Sequence, residues 1–222
     1  MNHTFVNSYL DNRIQIISQR LLRILYAIND GDFKHHRYAL WKRLHRLDLT
    51  GESCAHCGLD ERRSSYHAES GGPELDTVLK SLNLQRHYNA VDIGSGKGAA
   101  VFTLGKYFSK VTGVELSERL HVIAEDNAKK LKAKGCVEFL CKDATTFQPS
   151  PGDTVFYLFN PFPAVIVTAV MNNLRQWANH TGQTIWIIYK NPVAHDEVVK
   201  AGFQHKKIFD FMHGKPCYIY QS

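Results

Sequence analysis

The chain has 222 residues, and its 27 Lys and Arg against 21 Asp and Glu give a formal net charge of +6. With 44% hydrophobic and 22% charged residues, the composition is globular and excludes disordered and collagen-like classes. Five Cys, an odd number, do not indicate a disulfide framework. The first residues lack the pattern of a secretory signal, and no apolar run approaches the roughly 18 to 20 residues of a membrane helix. We therefore expect a cytoplasmic protein that is not bound to a membrane.

The first 70 residues have a helical pattern. Apolar residues recur three and four positions apart between Ile14 and Ile28, which predicts one helix ending near Gly31. A second helix is predicted over Tyr38 to Leu47, and the glycine-containing stretch 50–72 is predicted to be a loop. Residues 1–70 are thus expected to form a helical N-terminal extension or lid.

Residues 71–222 alternate short apolar runs with helical segments. The apolar runs lie at 90–93, 111–114, 137–140, 155–159 and 185–189, with a final pair near 208 and 218–220. The helical segments lie at 99–107, 117–132, 164–177 and 195–201. Continuous apolar strands between helices predict a parallel sheet covered on both faces. The last two runs are joined by a short turn, so we expect that pair to be antiparallel.

A glycine-rich loop, Gly-Ser-Gly-Lys-Gly at 94–98, follows the first strand and opens a helix. The pattern also fits a dinucleotide-binding turn. Asp92 beside the loop would repel a pyrophosphate, Glu115 can accept hydrogen bonds from two ribose hydroxyls, and Asp143 can accept one from an adenine amino group. These residues favour a ligand with ribose, adenine and a cationic tail but no phosphates. S-adenosylmethionine is such a ligand.

The motifs D-I-G-S-G-K-G, G-V-E-L-S and Y-L-F-N-P-F resemble those of the class I, Rossmann-like S-adenosylmethionine-dependent methyltransferases. The resemblance covers about residues 75–222 and looks closest to a group of bacterial methyltransferase-domain proteins. It implies a seven-stranded, mostly parallel α/β sheet with an antiparallel last strand, and S-adenosylmethionine as the cofactor. The residues expected at the cofactor are Asp92, Gly94, Ser95, Gly96, Gly98, Glu115, Leu116, Asp143, Ala144, Asn160 and Tyr66. Asp143 can instead cap a helix, and Glu115 can cap the helix that begins near Ser117.

The fourth strand ends in Asn160-Pro161-Phe162-Pro163. The first two residues resemble the N-P-P-Y motif of amino-methyltransferases, whose Asn orients the target amine, but Phe162-Pro163 departs from that motif. We expect Asn160 to orient the acceptor, although Asn-Pro can also merely end a strand. An amine on a protein side chain is the first expectation for the acceptor. A base amino group of a nucleic acid, a small molecule, and a non-catalytic module that binds S-adenosylmethionine are the alternatives.

Two further segments are candidates for the walls of the site. Tyr66 and Glu69 precede the first helix of the domain, where the non-SET nucleosomal lysine methyltransferases have a comparable approach to the cofactor; a plain surface loop is the alternative. The segment 189–192, Tyr-Lys-Asn-Pro, follows the fifth strand and is a candidate for the other wall of the acceptor cleft.

Two other patterns have weaker functional interpretations. Cys54 and Cys57 form one C-x-x-C pair, whereas a structural zinc site uses four ligands, so no metal is expected. The basic stretch Lys34 to Arg46 has interleaved aromatic residues. It is expected either to bind phosphates or an acidic protein, or to form a solvated helix face.

Overall fold

The computed structural model describes residues 31–53, 55–57, 60, 68–133, 136–211 and 214–222. The chain divides into two compact units, Met1–Arg43 and Leu44–Ser222. The helix predicted between Ile14 and Ile28 lies outside the described residues. The boundary between the N-terminal extension and the following domain, which the sequence predicts between residues 70 and 71, remains a prediction.

Helix α1 spans Gly31–Leu44. It begins earlier than the predicted start at Tyr38 and also ends earlier than the predicted end at Leu47. The early turns carry His and basic residues without apolar spacing, so periodicity could not detect them. The end is explained by Arg46, whose φ of 52° is left-handed and cannot continue a right-handed helix.

The second unit contains the sheet and its helices. Its strands are β1 (Asn89–Ile93), β2 (Lys110–Glu115), β3 (Val137–Cys141), β4 (Asp153–Phe159), β5 (Trp186–Lys190), β6 (Gln204–Phe209) and β7 (Cys217–Gln221). Its helices are α2 (Pro73–Leu82), α3 (Ala99–Leu104), α4 (Glu118–Leu131), α5 (Ala164–Thr181) and α6 (His195–Lys200), with a 3₁₀ turn at Ala144–Thr146.

The seven strands form one sheet in the order β3-β2-β1-β4-β5-β7-β6. The pairs from β3 to β5 are parallel, and β7 is antiparallel to both of its neighbours. The predicted Rossmann-like α/β fold with an antiparallel last strand is thus confirmed.

Two hydrophobic cores cover the sheet. On one face Val91 and Phe156 pack with the apolar side of α5. On the other face Ala90 and Tyr157 pack with α2 and α3. The central strands are apolar on both sides because both of their faces are buried.

Strands β2 and β3 lie on one side of β1, and β4 and β5 lie on the other, so the strand order reverses at β1. Such a reversal opens a crevice at the carboxyl ends of the strands. Asp92, Glu115 and Asn160 lie at or directly after these ends. Among the described residues, no helix is both long and apolar enough to cross a membrane.

Candidate active site

The glycine loop connects β1 to α3 by a turn that needs glycine. Gly94, Gly96 and Gly98 have φ values of 83°, 52° and 90°, a region open to glycine at little cost. A Cβ on Gly94 would also lie 2.5 Å from the Cβ of Pro161. The loop therefore packs directly against the turn that begins with Asn160.

Asp92 is a buried carboxylate, only 2% exposed. Within the described residues its Oδ2 has no hydrogen-bond partner. Burial, and then the negative charge of Glu115, raise the pKa of Asp92 well above its ordinary value. A buried carboxylate without a cation or donor is unfavourable, and it is complementary to a ligand that brings a positive charge. The α-ammonium group of S-adenosylmethionine fits this requirement.

Glu115 is also buried, and both of its carboxylate oxygens accept hydrogen bonds from the backbone. Oε2 accepts from the Gly96 N–H and Oε1 from the Ser117 N–H, each at 2.8 Å. Burial raises the pKa of Glu115, although these N–H groups act in the opposite direction. Ser117 itself caps α4, accepting from the Leu120 N–H. Glu115 thus fixes the glycine loop, and each oxygen keeps a further lone pair for a ribose hydroxyl.

A small cleft lies beside the loop. Gly94, Val114 and Leu116 line part of it. Lys142, Asp143, Ala144, Phe162 and Ile166 line the remainder. Apart from Lys142 and Asp143 the lining residues are apolar, which suits a flat heterocycle, and the Asp143 carboxylate can accept from an amino group.

Asp143 has a local structural role in the same place. Its Oδ1 accepts hydrogen bonds from the N–H and hydroxyl of Thr145, at 2.9 and 2.8 Å. The side chain therefore caps the 3₁₀ turn while it lines the cleft, so the two interpretations of the sequence are compatible.

Asn160 follows β4 and has a φ of 37°, a left-handed conformation that Asn tolerates better than most residues. It is partly exposed. Nearby, the Tyr157 hydroxyl donates to the Ser70 carbonyl at 3.0 Å, which places the described segment 68–70 close to β4. Glu69 is partly buried in this segment. Tyr66 lies outside the described residues.

Residues 90–182 match a family model described as a methyltransferase domain. The chain carries a methyltransferase domain. Such domains are enzymes that use S-adenosylmethionine. A comparison with curated protein sequences finds no significant match.

Solved structures with this fold include several methyltransferases. The magnesium protoporphyrin IX methyltransferase of Synechocystis PCC 6803, with bound S-adenosylmethionine, aligns at 14% identity over 67% of this chain and 76% of that chain, with a TM-score of 0.53. A methyltransferase from Aquifex aeolicus aligns at 17% identity over 66% and 88%, also at 0.53. A mutant of MtNAS in complex with S-adenosylmethionine aligns at 20% identity over 66% and 60%, at 0.55. At these identities the likeness establishes the fold.

An ionic cluster of the methyltransferase was not predicted from the sequence. The Lys97 ammonium, in the glycine loop, lies 2.8 Å from Asp48 Oδ1 and 2.5 Å from Glu52 Oε1. The buried Asn127 side-chain amide of α4 donates to the carbonyls of Asp48 and Lys97, at 2.8 and 3.1 Å. We call residues 48–52 the strap. No local motif could have predicted it, because its partners lie more than forty residues away along the chain.

The structure describes part of the C-x-x-C pair and part of the basic stretch. Cys57 is buried and its carbonyl accepts from the Ser117 hydroxyl at 2.6 Å, whereas Cys54 lies outside the described residues. In the part of the chain that the structure describes, no three His, Cys, Asp or Glu residues group as metal ligands. Lys34, Arg37 and Arg43 of α1 are exposed.

Proposed function

We propose that this methyltransferase transfers the methyl group of S-adenosylmethionine to an amine nitrogen on a protein side chain. The observation that supports this most directly is the contact between the glycine loop and the Asn160-Pro161 turn. Pro161 occupies the space next to Gly94 that a Cβ would need. This contact joins the glycine loop to the turn that Asn160 begins, which supports a role for the Asn160 amide beside the cofactor.

The cofactor would be held by residues with distinct tasks. Asp92 would pair with the ammonium group, Glu115 would accept from the ribose hydroxyls, and Asp143 would accept from the adenine amino group, with Leu116 and Ala144 against the ring. Ser95, whose buried hydroxyl has no partner among the described residues, would serve the same ligand. When bound, S-adenosylmethionine supplies an electrophilic methyl group on a positively charged sulfur.

The chain's contribution to the transfer is then mainly positional. The Asn160 amide oxygen would accept an N–H of the acceptor and so direct the nitrogen lone pair towards the methyl group. Burial of the surrounding strand ends would keep water away from the reacting atoms.

A base amino group of a nucleic acid is the second candidate acceptor. The exposed cations of α1, Lys34, Arg37 and Arg43, favour it, because cations on one helix can contact a phosphate backbone. The magnesium protoporphyrin IX methyltransferase, by its name, acts on a small molecule, so a small acceptor is the third candidate.

The proposal is tested by incubating the protein with methyl-labelled S-adenosylmethionine and a cell lysate, followed by separation of protein, nucleic acid and small molecules. The matching variant is Asn160→Gly, which keeps the left-handed turn but removes the amide. Asn83→Gly is the control, because Asn83 also has a positive φ, 46°, but caps the end of α2.

We expect label in the protein fraction, reduced at least about tenfold by Asn160→Gly and unchanged by Asn83→Gly, since a misplaced acceptor loses much of the advantage of orientation. Label in the nucleic-acid fraction alone would show that the acceptor is a base amino group and not an amine on a protein side chain. Measurable binding of S-adenosylmethionine without label in any fraction would favour a non-catalytic binding module.

A further inference from the structure

The ends of β4 and β5 carry the same dipeptide. Asn160-Pro161 follows β4 and Asn191-Pro192 follows β5. Phe159 and Lys190, the residues just before each Asn, are register partners in this parallel pair. The two Asn therefore occupy equivalent positions on neighbouring strands, which are spaced about 4.8 Å apart in a sheet.

Both Asn residues have left-handed backbones, with φ of 37° at Asn160 and 51° at Asn191. Such conformations are unfavourable for most side chains, and they concentrate at functional sites. The turn at Asn191 is fixed by its backbone alone: its N–H donates to the Pro216 carbonyl at 2.7 Å, and its carbonyl accepts from the Val193 N–H at 2.8 Å.

The two side-chain amides are left for another partner. Asn160 and Asn191 are both partly exposed, and within the described residues neither amide takes part in a hydrogen bond. Each therefore presents an unused carbonyl oxygen and an unused NH₂ group at the carboxyl edge of the sheet.

Lys190 and Glu74, the charged groups next to the two Asn residues, pair with each other. Lys190 is 8% exposed, and its ammonium donates to Glu74 Oε2 at 2.5 Å. The same ammonium lies 5.0 Å from the centre of the Phe159 ring. With Lys190 and Glu74 paired, the surroundings favour a neutral group over a charged one, because an added charge would have no partner of its own.

We propose that Asn191 is a second acceptor-orienting residue, which acts together with Asn160 on a neutral primary amine. This inference rests on the proposed function. A primary amine has two N–H bonds and one lone pair. The Oδ1 atoms of Asn160 and Asn191 each accept one N–H, and the lone pair remains free to attack.

The transfer balances without a further reactant. A nitrogen–carbon bond forms to the methyl group while the sulfur–carbon bond breaks, and sulfur keeps the electron pair as a neutral thioether. The nitrogen then carries a positive charge, which it loses by releasing one N–H proton to solvent. The monomethyl product has one N–H fewer and leaves one Asn without its bond, so the pair selects for a single methylation.

The test uses the full-length protein saturated with S-adenosylhomocysteine and three neutral probes: aniline, N-methylaniline and N,N-dimethylaniline. Each is titrated while the side-chain amide signals of nitrogen-15-labelled Asn are followed by NMR. We expect aniline to shift the signals of both Asn160 and Asn191 and to bind about three- to tenfold more tightly than N-methylaniline, as expected for one hydrogen bond lost. N,N-dimethylaniline should bind more weakly still.

Two variants of Asn191 and one control separate the role of the Asn191 side chain from that of its left-handed backbone. Asn191→Gly keeps the left-handed backbone and should abolish the preference for aniline over N-methylaniline, whereas Asn191→Asp keeps the acceptor oxygens and should retain it. Asn83→Gly, far from the sheet edge in sequence and at the end of α2, should behave like the unaltered protein.

Equal binding of the three probes, no shift at Asn191, or an unchanged preference in Asn191→Gly would overturn the role of Asn191. These outcomes leave the proposed function standing as long as S-adenosylhomocysteine binds and Asn160→Gly lowers methyl transfer. Absence of S-adenosylhomocysteine binding would instead overturn the proposed function together with this inference.

Discussion

Asp92 carries a buried carboxylate whose Oδ2 has no partner in the described chain, and Glu115 places a second negative charge nearby. The raised pKa of Asp92 means that folding favours its protonated form. Its contribution to stability is therefore present below the unfolded pKa and is lost as the pH rises through the folded pKa. At pH values above the folded pKa the ionised side chain destabilises the ligand-free protein.

Replacing this carboxylate should have opposite effects on stability and binding. Asp92→Asn removes the buried charge, and we expect the free energy of unfolding without ligand to rise by about 1 to 2 kcal/mol at about pH 7. The same variant should lose most of its affinity for S-adenosylmethionine. Thermal unfolding and calorimetry measure the two effects, with the exposed Asp196→Asn as the control. A less stable variant that still binds the cofactor would contradict this role.

The affinity for S-adenosylmethionine should also depend on pH. An ammonium ligand needs Asp92 ionised, so binding lowers its pKa and releases a proton at pH values where the free protein holds one. We expect the affinity to fall as the pH is lowered from about 7 through a midpoint above 3.8, the ordinary aspartate value. Glu115, whose pKa is also raised, acts in the same direction. Titrations of the unaltered protein and of Asp92→Asn separate the contributions of Asp92 and Glu115 to this pH dependence. Identical pH profiles would show that Asp92 does not pair with the ammonium group.

At the scale of elements, the strap connects the glycine loop to residues far away in sequence. Burial lowers the pKa of Lys97, but Asp48 and Glu52 outweigh it and raise that pKa overall. Stability from this group is therefore fully present below the unfolded lysine pKa and is lost only as the pH rises through the folded pKa. The contact is intact at neutral pH.

Lys97→Met should therefore loosen the strap while the sheet stays folded. We expect a lower melting temperature and faster amide exchange in residues 48–52, because Asp48 and Glu52 lose their shared partner. Lys130→Met is the matched control, since Lys130 pairs with Asp126 within α4 at 2.7 Å. Unchanged exchange in the strap would show that Lys97 does not hold it.

The elements also show how far the sequence could predict the structure. Apolar runs separated by helical segments predicted the strands, because this signal is periodic. The glycine loop with its flanking acids predicted where a cofactor would bind, because this signal is local. The pairing of Lys97 with the strap and of Lys190 with Glu74 joins distant residues, so neither has a local signal. The juxtaposition of Asn160 and Asn191 depends on the register of β4 with β5, which hydrophobic patterns do not define to one residue.

At the scale of the whole molecule, the seven strands, both hydrophobic cores and the described site residues belong to the unit Leu44–Ser222. A chain of residues 44–222 should therefore fold and bind S-adenosylmethionine within about threefold of the full-length protein. A chain of residues 71–222 lacks the strap and should melt at a lower temperature. Circular dichroism and calorimetry on both chains test this, and a failure of 44–222 to fold would show that residues 1–43 are needed.

The measurement that tests amine methylation most directly is transfer from S-adenosylmethionine carrying a carbon-13 methyl group, followed by NMR of the purified product. We expect the labelled methyl signal to have the chemical shift of a methyl group on nitrogen and to be lost with Asp92→Asn. A methyl group on oxygen or carbon, or no transferred methyl group in any product, would contradict the proposed function.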